Sequence, residues 1–186
     1  AYLGKFLLNK DYMMLPFAEL GRRKDELYNM YGTDNAIYIR PDLGIKQFDG
    51  TLIYKEHFEH KLNQFSWYNT GPYSLVVVSS PKNINEEYRV VIIDKEPVAG
   101  SRYKKNGLFN TNKTCPQNIY DYAKHIAETY SPEEAFVADI CTTNNGVFLV
   151  EVNSFSCSGF YECNKQEIVK AVAKLADREW RDYVAP

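Results

Sequence analysis

FVADICTTNNGVFLVEVN, residues 136–153, decides how the rest of the chain is read. Phe136, Ala138 and Ile140 alternate with Val137, Asp139 and Cys141, and Phe148, Val150 and Val152 alternate with Leu149, Glu151 and Asn153. Period-2 alternation on both sides of Asn144-Asn145-Gly146 predicts a β-hairpin. Loop length decides which side chains meet. A two-residue loop places Asp139 opposite Val152 and separates the acids onto different faces. A three-residue loop, closed by Gly146 in a left-handed conformation, places Asp139 opposite Glu151. The odd loop also stacks the row of Phe136, Ala138 and Ile140 on the row of Phe148, Val150 and Val152, an agreement that a one-residue slip would destroy. The expected hairpin has one apolar face and one face carrying Asp139, Glu151 and Asn153.

Like charges directly opposite each other on neighbouring strands are destabilising, so this pairing needs a neutralising partner. Mg2+ takes oxygen ligands and is commonly held by one or two carboxylates together with substrate phosphates. A solvated polar face is the plain alternative. Val137 and Leu149 lie on that same face and argue against it. We therefore read Asp139, Glu151 and Asn153 as the floor of a metal–phosphate site.

Outward from the hairpin, 186 residues at 45% hydrophobic and 15% aromatic content suffice for one core or two small lobes. A net charge of −2 offers no basic surplus for nucleic acid. No apolar run approaches the ~20 residues of a membrane span. The chain begins at Ala1 with no signal-peptide pattern, and the expectation is that a preceding segment is missing. Cys115, Cys141, Cys157 and Cys163 form no C-x-x-C pair and have no His at ligand spacing. Free thiols in a reducing cytoplasm are the expectation, with no zinc.

Along the chain, residues 5–9 read as a loose strand and Pro16 as the start of a helix that Gly32 ends. AIYIR leads into Pro41, and the loop PDLGIKQFDG, residues 41–50, carries Gly44, Lys46 and Gly50 before a returning strand at 51–54. Glycines let backbone amides approach phosphate oxygens and Lys46 supplies countercharge, although this is no P-loop. His57 and His60 fall in a polar, aromatic-rich connection running to Trp67. SLVVVSS, residues 74–80, reads as a strand buried on both faces. A second hairpin turns at Asp94-Lys95; with a two-residue turn Arg89 faces Gly100, Glu87 faces Arg102, and Glu87, Arg89 and Arg102 share one face. Helices are expected at 118–130 and from Lys165 to about residue 183.

In this order of parts the chain resembles the ATP-grasp superfamily, from about residue 36 to residue 172. Its E-x-N ending, Glu151-Val152-Asn153 with Asp139 on the partner strand, is the most specific element. Arg40-Pro41 stands where most members have Lys-Pro, which resembles the branch of predicted peptide ligases found largely in phage and bacterial genomes. The resemblance implies an α+β fold of two antiparallel lobes, 1–78 and 79–186, with the nucleotide in the cleft between them. It implies ATP and Mg2+ as cofactors, the metal on Asp139, Glu151 and Asn153. It further implies Lys46 and Arg40 at the phosphates, Val78 and Ser79 at the adenine hinge, and Glu87 and Arg89 as the E-x-R pair. Arg102 would stand beside the acyl-phosphate. The implied reaction is ADP-forming ligation of a small-molecule or peptide carboxylate to an amine. The glycine-rich loop is thin, and the usual N-terminal substrate domain has no counterpart here. Two alternatives stand beside this reading. One is a non-catalytic nucleotide-binding module. The other is a lysine-adenylating nucleic-acid ligase, whose K-x-D-G motif is one residue shorter than Lys46-x-x-Asp49-Gly50.

Overall fold

A computed structural model of the protein describes residues 2–42, 47–67 and 70–184. The chain is α+β, as expected, with two antiparallel sheets and their helices in two compact units. One unit is Asn9–Lys82; the other combines Ala1–Leu8 with Asn83–Pro186. The sequence reading divides the chain after residue 78 and leaves the first eight residues with the first lobe.

The smaller unit runs β1 (Tyr12–Pro16), α1 (Glu19–Arg22), α2 (Lys24–Tyr31), β2 (Ala36–Pro41), β3 (Thr51–Tyr54), α3 (Phe58–Trp67) and β4 (Leu75–Ser79). Its sheet order is β1-β4-β2-β3. The apolar run of β4 sits centrally, paired on both sides, and Val76, Val77, Val78 and Ser79 are all buried. Leu15, Leu20, Leu27, Ile37, Ile39, Ile53, Phe58 and Val78 form the core. Tyr28 donates its hydroxyl to the carbonyl of Ile53 at 2.9 Å inside it. Burial pushes this phenol up to about 12.

Two sequence expectations fail in this unit. Pro16 closes strand β1 rather than opening a helix. Edge strands tolerate a missing N–H, and β1 is an edge. The expected connection through His57 and His60 becomes α3, because Phe58, Leu62 and Phe65 recur at helical spacing and face the core.

The larger unit runs β5 (Glu86–Ile93), β6 (Glu96–Lys105), β7 (Leu108–Asn112), α4 (Gln117–Thr129), β8 (Ala135–Thr143), β9 (Gly146–Ser154) and α5 (Lys165–Val184). The sheet order is β7-β6-β5-β8-β9. Helix α4 buries Ile119, Ala123 and Ile126 against Tyr88, Val90, Ile92, Phe136, Ala138 and Ile140 on one face. Helix α5 buries Ile168 and Leu175 against Val91, Ile93 and Val137 on the other. The first residues of the chain join the α4 side. Phe6 is buried there, Leu7 bridges Leu149 in parallel, and the amide of Leu8 donates to the carbonyl of Leu149 at 2.8 Å.

Each strand of this sheet therefore has an α4 face and an α5 face, and β-bulges decide which residues reach which. In the β8–β9 hairpin Thr143 pairs with Gly146 and Ile140 with Leu149, so the loop is Asn144-Asn145, two residues long. The expected three-residue loop is absent. Gly146, at φ +131°, opens β9 beyond the loop. Val150 is then skipped, and Asp139 pairs with Glu151. The expected pairing of acids is present, but a bulge produces it instead of the turn. The apolar row of β9 differs accordingly, because Leu149 and not Phe148 joins Ile140 in the α4-side core.

The β5–β6 hairpin behaves alike. Its two-residue turn, Asp94-Lys95, has both residues at positive φ (54° and 63°), as a primed turn requires. Val98 and Tyr103 are then skipped in turn, so Arg89 pairs with Ser101, Tyr88 with Arg102, and Glu87 with Lys104. The expected sharing of one face by Glu87, Arg89 and Arg102 is thereby corrected. Arg102 lies on the Tyr88 face, and each bulge has shifted the register by one residue.

Candidate active site

The α5 face of the larger unit gathers Glu87 and Arg89 from β5, Asp139 from β8, and Glu151 and Asn153 from β9. Arg89 pairs directly with Asp139 across the β5–β8 ladder. Its Nε donates to Oδ1 at 2.8 Å and its Nη2 to Oδ2 at 2.7 Å, a bidentate fork on a carboxylate only 2% exposed. The remaining terminal nitrogen, Nη1, donates to the carbonyl of Gly159 at 2.9 Å. Three of the five guanidinium N–H groups are thus engaged and two remain.

The same guanidinium lies 4.8 Å from the ring centre of Tyr161 and 5.7 Å from that of Tyr103. The two rings stack on each other at 4.9 Å. Tyr103 donates its hydroxyl to Glu87 Oε2 at 2.7 Å, and Lys104 approaches Glu87 Oε1 at 3.4 Å. Tyr161 holds φ at +46°, a left-handed backbone unusual for a bulky side chain. The sequence reading places neither tyrosine on Arg89. Tyr103 reaches this face only because it is the bulged residue of β6, and Tyr161 arrives from the Ser/Gly-rich turn before α5.

Burial pushes the carboxyl of Asp139 above its ordinary range; the charge of Arg89 opposes this and those of Glu151 and Glu87 add to it. Burial works against the charge of Arg89 as well, yet Asp139 outweighs it and holds the guanidinium above its usual value.

Oxygen ligands for a hard cation are present. Asn153 turns its Nδ2 onto Glu151 Oε1 at 3.0 Å, which leaves its carbonyl oxygen as the ligand end of the amide. Asp139, Glu151 and Asn153 come together on one face as expected, although both oxygens of Asp139 already hold Arg89. Among the described residues no group of three or more His, Cys, Asp or Glu side chains is placed to hold a metal. A cation here would rest on Glu151 and Asn153, with Asp139 behind them and phosphate oxygens completing its shell.

The other expected site residues lie elsewhere. Arg40, on β2 of the smaller unit, donates Nη1 to the carbonyl of Pro41 at 3.2 Å. Val78 points into the core and its backbone pairs with both Met13 and Ile39. Ser79 ends β4 fully buried, and its Oγ has no hydrogen-bond partner among the described residues. Lys46 lies outside the described residues.

Arg102 is tied to the opposite face. Its Nη1 donates to Glu86 Oε1 and its Nη2 to Asn110 Oδ1, both at 2.7 Å. Tyr88 also donates to Glu86, and that hydrogen bond, with help from Lys105 and Arg102, holds this carboxyl below its ordinary value of 4.5. A depressed carboxyl contributes stability above its unfolded value and loses it as pH falls through the folded one. Glu86→Gln is therefore expected to flatten the acid limb of the stability curve. Urea midpoints measured near neutrality and near pH 3 should differ less in this variant than in the unaltered protein.

The sequence profile matching residues 21–171 is that of the ATP-grasp domain, R-2-K clade family 2. No curated protein sequence matches the chain. Among solved structures, D-alanine–D-alanine ligase from Bacillus anthracis superposes with a TM-score of 0.60 at 14% identity, over 94% of this chain and 65% of that one. D-cycloserine synthetase DcsG gives 0.63 at 11% identity, over 92% of this chain and 66% of its own. The ATP-grasp ligase PsnB complexed with minimal precursor gives 0.52 at 14% identity, over 82% and 49%. The chain thus spans about half to two-thirds of the length of these proteins. Among the described residues no helix is long and apolar enough to cross a membrane.

Proposed function

The chain belongs to the ATP-grasp domains, in the clade family whose profile it matches, and from that premise we propose that it joins a carboxylate to an amine with ATP, forming ADP. The observation that carries this reading is the fixed row Arg89–Asp139–Glu151–Asn153 on one sheet face. A substrate carboxylate oxygen attacks the γ-phosphorus and ADP leaves, giving an acyl-phosphate. The amine nitrogen then attacks the acyl carbon, the carbon–oxygen bond to phosphate breaks, and the amine proton passes to solvent.

Phosphoryl transfer depends on positioning and on countercharge more than on covalent help from protein. A Mg2+ ion would neutralise charge developing on the transferred phosphoryl group. Glu151 and Asn153 would supply its protein ligands. Arg89, held in one orientation by Asp139 and Gly159, offers its two remaining N–H groups to the oxyanion formed when the amine attacks. This role passes to Arg89 from Arg102, whose Nη1 and Nη2 donate to Glu86 and Asn110. Arg40, Lys46, Val78, Ser79 and Glu87 remain candidates for holding the nucleotide.

The engagement of both Asp139 oxygens by Arg89 favours one second reading, a nucleotide-binding module without turnover. The deciding experiment follows adenine nucleotides by chromatography while the chain is incubated with Mg2+, ATP and mixed carboxylates and amines. ADP release that requires both substrates supports the ligase. ATP binding without turnover supports the module, and AMP release would indicate an adenylating enzyme.

A further inference from the structure

Helix α5 carries two apolar stripes, and the larger unit covers one of them. The inner stripe buries Ile168 and Leu175, packs Ala171 and Val172 against the sheet, and ends on Arg178, which is tied to Asp94 and Glu134. The outer stripe is Val169, Ala173, Ala176, Trp180 and Tyr183. It lies about 130° around the helix from the inner one, at 3.6 residues per turn. All five of its residues are exposed, Val169 and Trp180 at 66% and Tyr183 at 89%. A helix that had only the sheet to cover would carry polar residues there.

Successive residues of the outer stripe are 4, 3, 4 and 3 positions apart, the repeat by which one helix packs along another. Written as heptads, Ala173 and Trp180 take the a positions, Val169, Ala176 and Tyr183 the d positions, and Lys170 and Asp177 the flanking e positions. A helix of the same sequence, running antiparallel with a set against d, brings Ala173 of each copy against Ala176 of the other and Trp180 against Val169. The alanine layers let the two backbones approach closely at the centre, and an indole closes each end. The same register sets Lys170 across from Asp177 twice. In the single chain Lys170 pairs with Glu167 at 2.9 Å and Asp177 with Arg181 at 2.5 Å, exposed pairs of a kind that contributes little and yields readily. A parallel pairing would instead set Lys170 against Lys165, a like charge. Size and charge along the stripe therefore select one occupant and one direction.

We propose that the outer stripe of α5 is a self-association surface, on which a second copy of this chain docks its own α5 antiparallel, about a two-fold axis that passes between the layers of Ala173 and Ala176. Such a contact is isologous, so every pairing occurs twice. One pair of helices is a small interface, and the expected dimer is accordingly weak, with a dissociation constant on the order of 10 μM or above.

Sedimentation velocity on the full chain, from about 1 μM to about 500 μM, tests the proposal across the range expected of so small an interface. The expected result is a reversible passage from monomer to dimer, which Trp180→Glu weakens by on the order of tenfold or more. Lys170→Glu and Asp177→Lys, each alone, set like charges across the axis and are expected to weaken the dimer as well. Mixed in equal amounts, these two single variants should associate again, because one copy then carries two acids at the e positions and the other two bases. Far-UV circular dichroism checks that each variant is folded, and recovery on mixing cannot come from a variant that has lost α5. A chain that stays monomeric at the highest concentration overturns the proposal and leaves the stripe to a different partner. Association unchanged by Trp180→Glu, or single-charge variants that mixing does not restore, overturns it too, by placing the contact elsewhere or in another direction.

Discussion

Glu151→Gln is expected to lower Mg2+-dependent ATP turnover by on the order of a hundred- to a thousandfold while the fold stays intact. The substitution keeps the size of the side chain and an oxygen able to accept from Asn153, so the local hydrogen bond survives. What disappears is the negative charge directly across from Asp139. Two consequences separate in sign. Cation binding weakens, because an amide oxygen is a poorer ligand for a hard divalent ion than a carboxylate. Fold stability holds or rises, because a cross-strand repulsion is removed. Measuring ADP release beside the urea midpoint tests both at once. Near-native turnover in a folded variant would move the metal away from Glu151.

Arg89→Met is expected to destabilise the larger unit by about 3–5 kcal/mol at neutral pH, because it leaves the Asp139 carboxylate buried without its partner. The pair is suited to such a test, with Asp139 side chain 2% and Arg89 side chain 11% exposed. Replacing both residues, as Arg89→Met with Asp139→Leu, is expected to recover most of the loss, since an apolar pair of similar volume needs no desolvated charge. The pH dependence has a definite direction. A carboxyl whose folded pKa is raised costs stability as pH climbs through that folded value. Without Arg89 the rise is larger, so the single variant should regain stability as the pH is lowered and Asp139 is protonated. Denaturant unfolding at neutral pH and near pH 5 checks this. A single variant as stable as the parent at neutral pH would mean that water reaches Asp139.

The sequence made the type and order of most elements legible because each has a strong period: the valine run of β4, the alternating rows of β5 and β8, and the apolar stripes of α4 and α5. It also put Asp139, Glu151 and Asn153 on one face of their hairpin, and Glu87 and Arg89 on one face of theirs. Its account of why was incomplete. Parity counted from a turn holds only until a strand bulges, and Val98, Tyr103 and Val150 are ordinary strand residues that carry no local mark of the irregularity. Arg102 was misplaced for that reason alone. Tyr161 was out of reach for another, since its position depends on a turn between β9 and α5 and on stacking with Tyr103, neither of which has a period. The spacing of Phe58, Leu62 and Phe65 was readable and marks α3, but His57 and His60 drew the reading towards a surface connection.

The skipped Val150 also bears on how the hairpin assembles in time. Zipping outward from Asn144-Asn145, the strands meet no ambiguity until Ile140 has found Leu149. At the next step the chain can continue without skipping a residue, which would set Ala138 against Glu151 and carry a carboxylate to the side where Ala138, Phe136 and Ile140 are fully buried. Burying an unpaired carboxylate there costs several kcal/mol, so the wrong branch is rejected as soon as α4 tries to dock. The right branch leaves Glu151 beside Asp139, on the side where Arg89 waits with its countercharge. The acid proposed to serve the reaction thus also weighs against the unbulged register of the two strands.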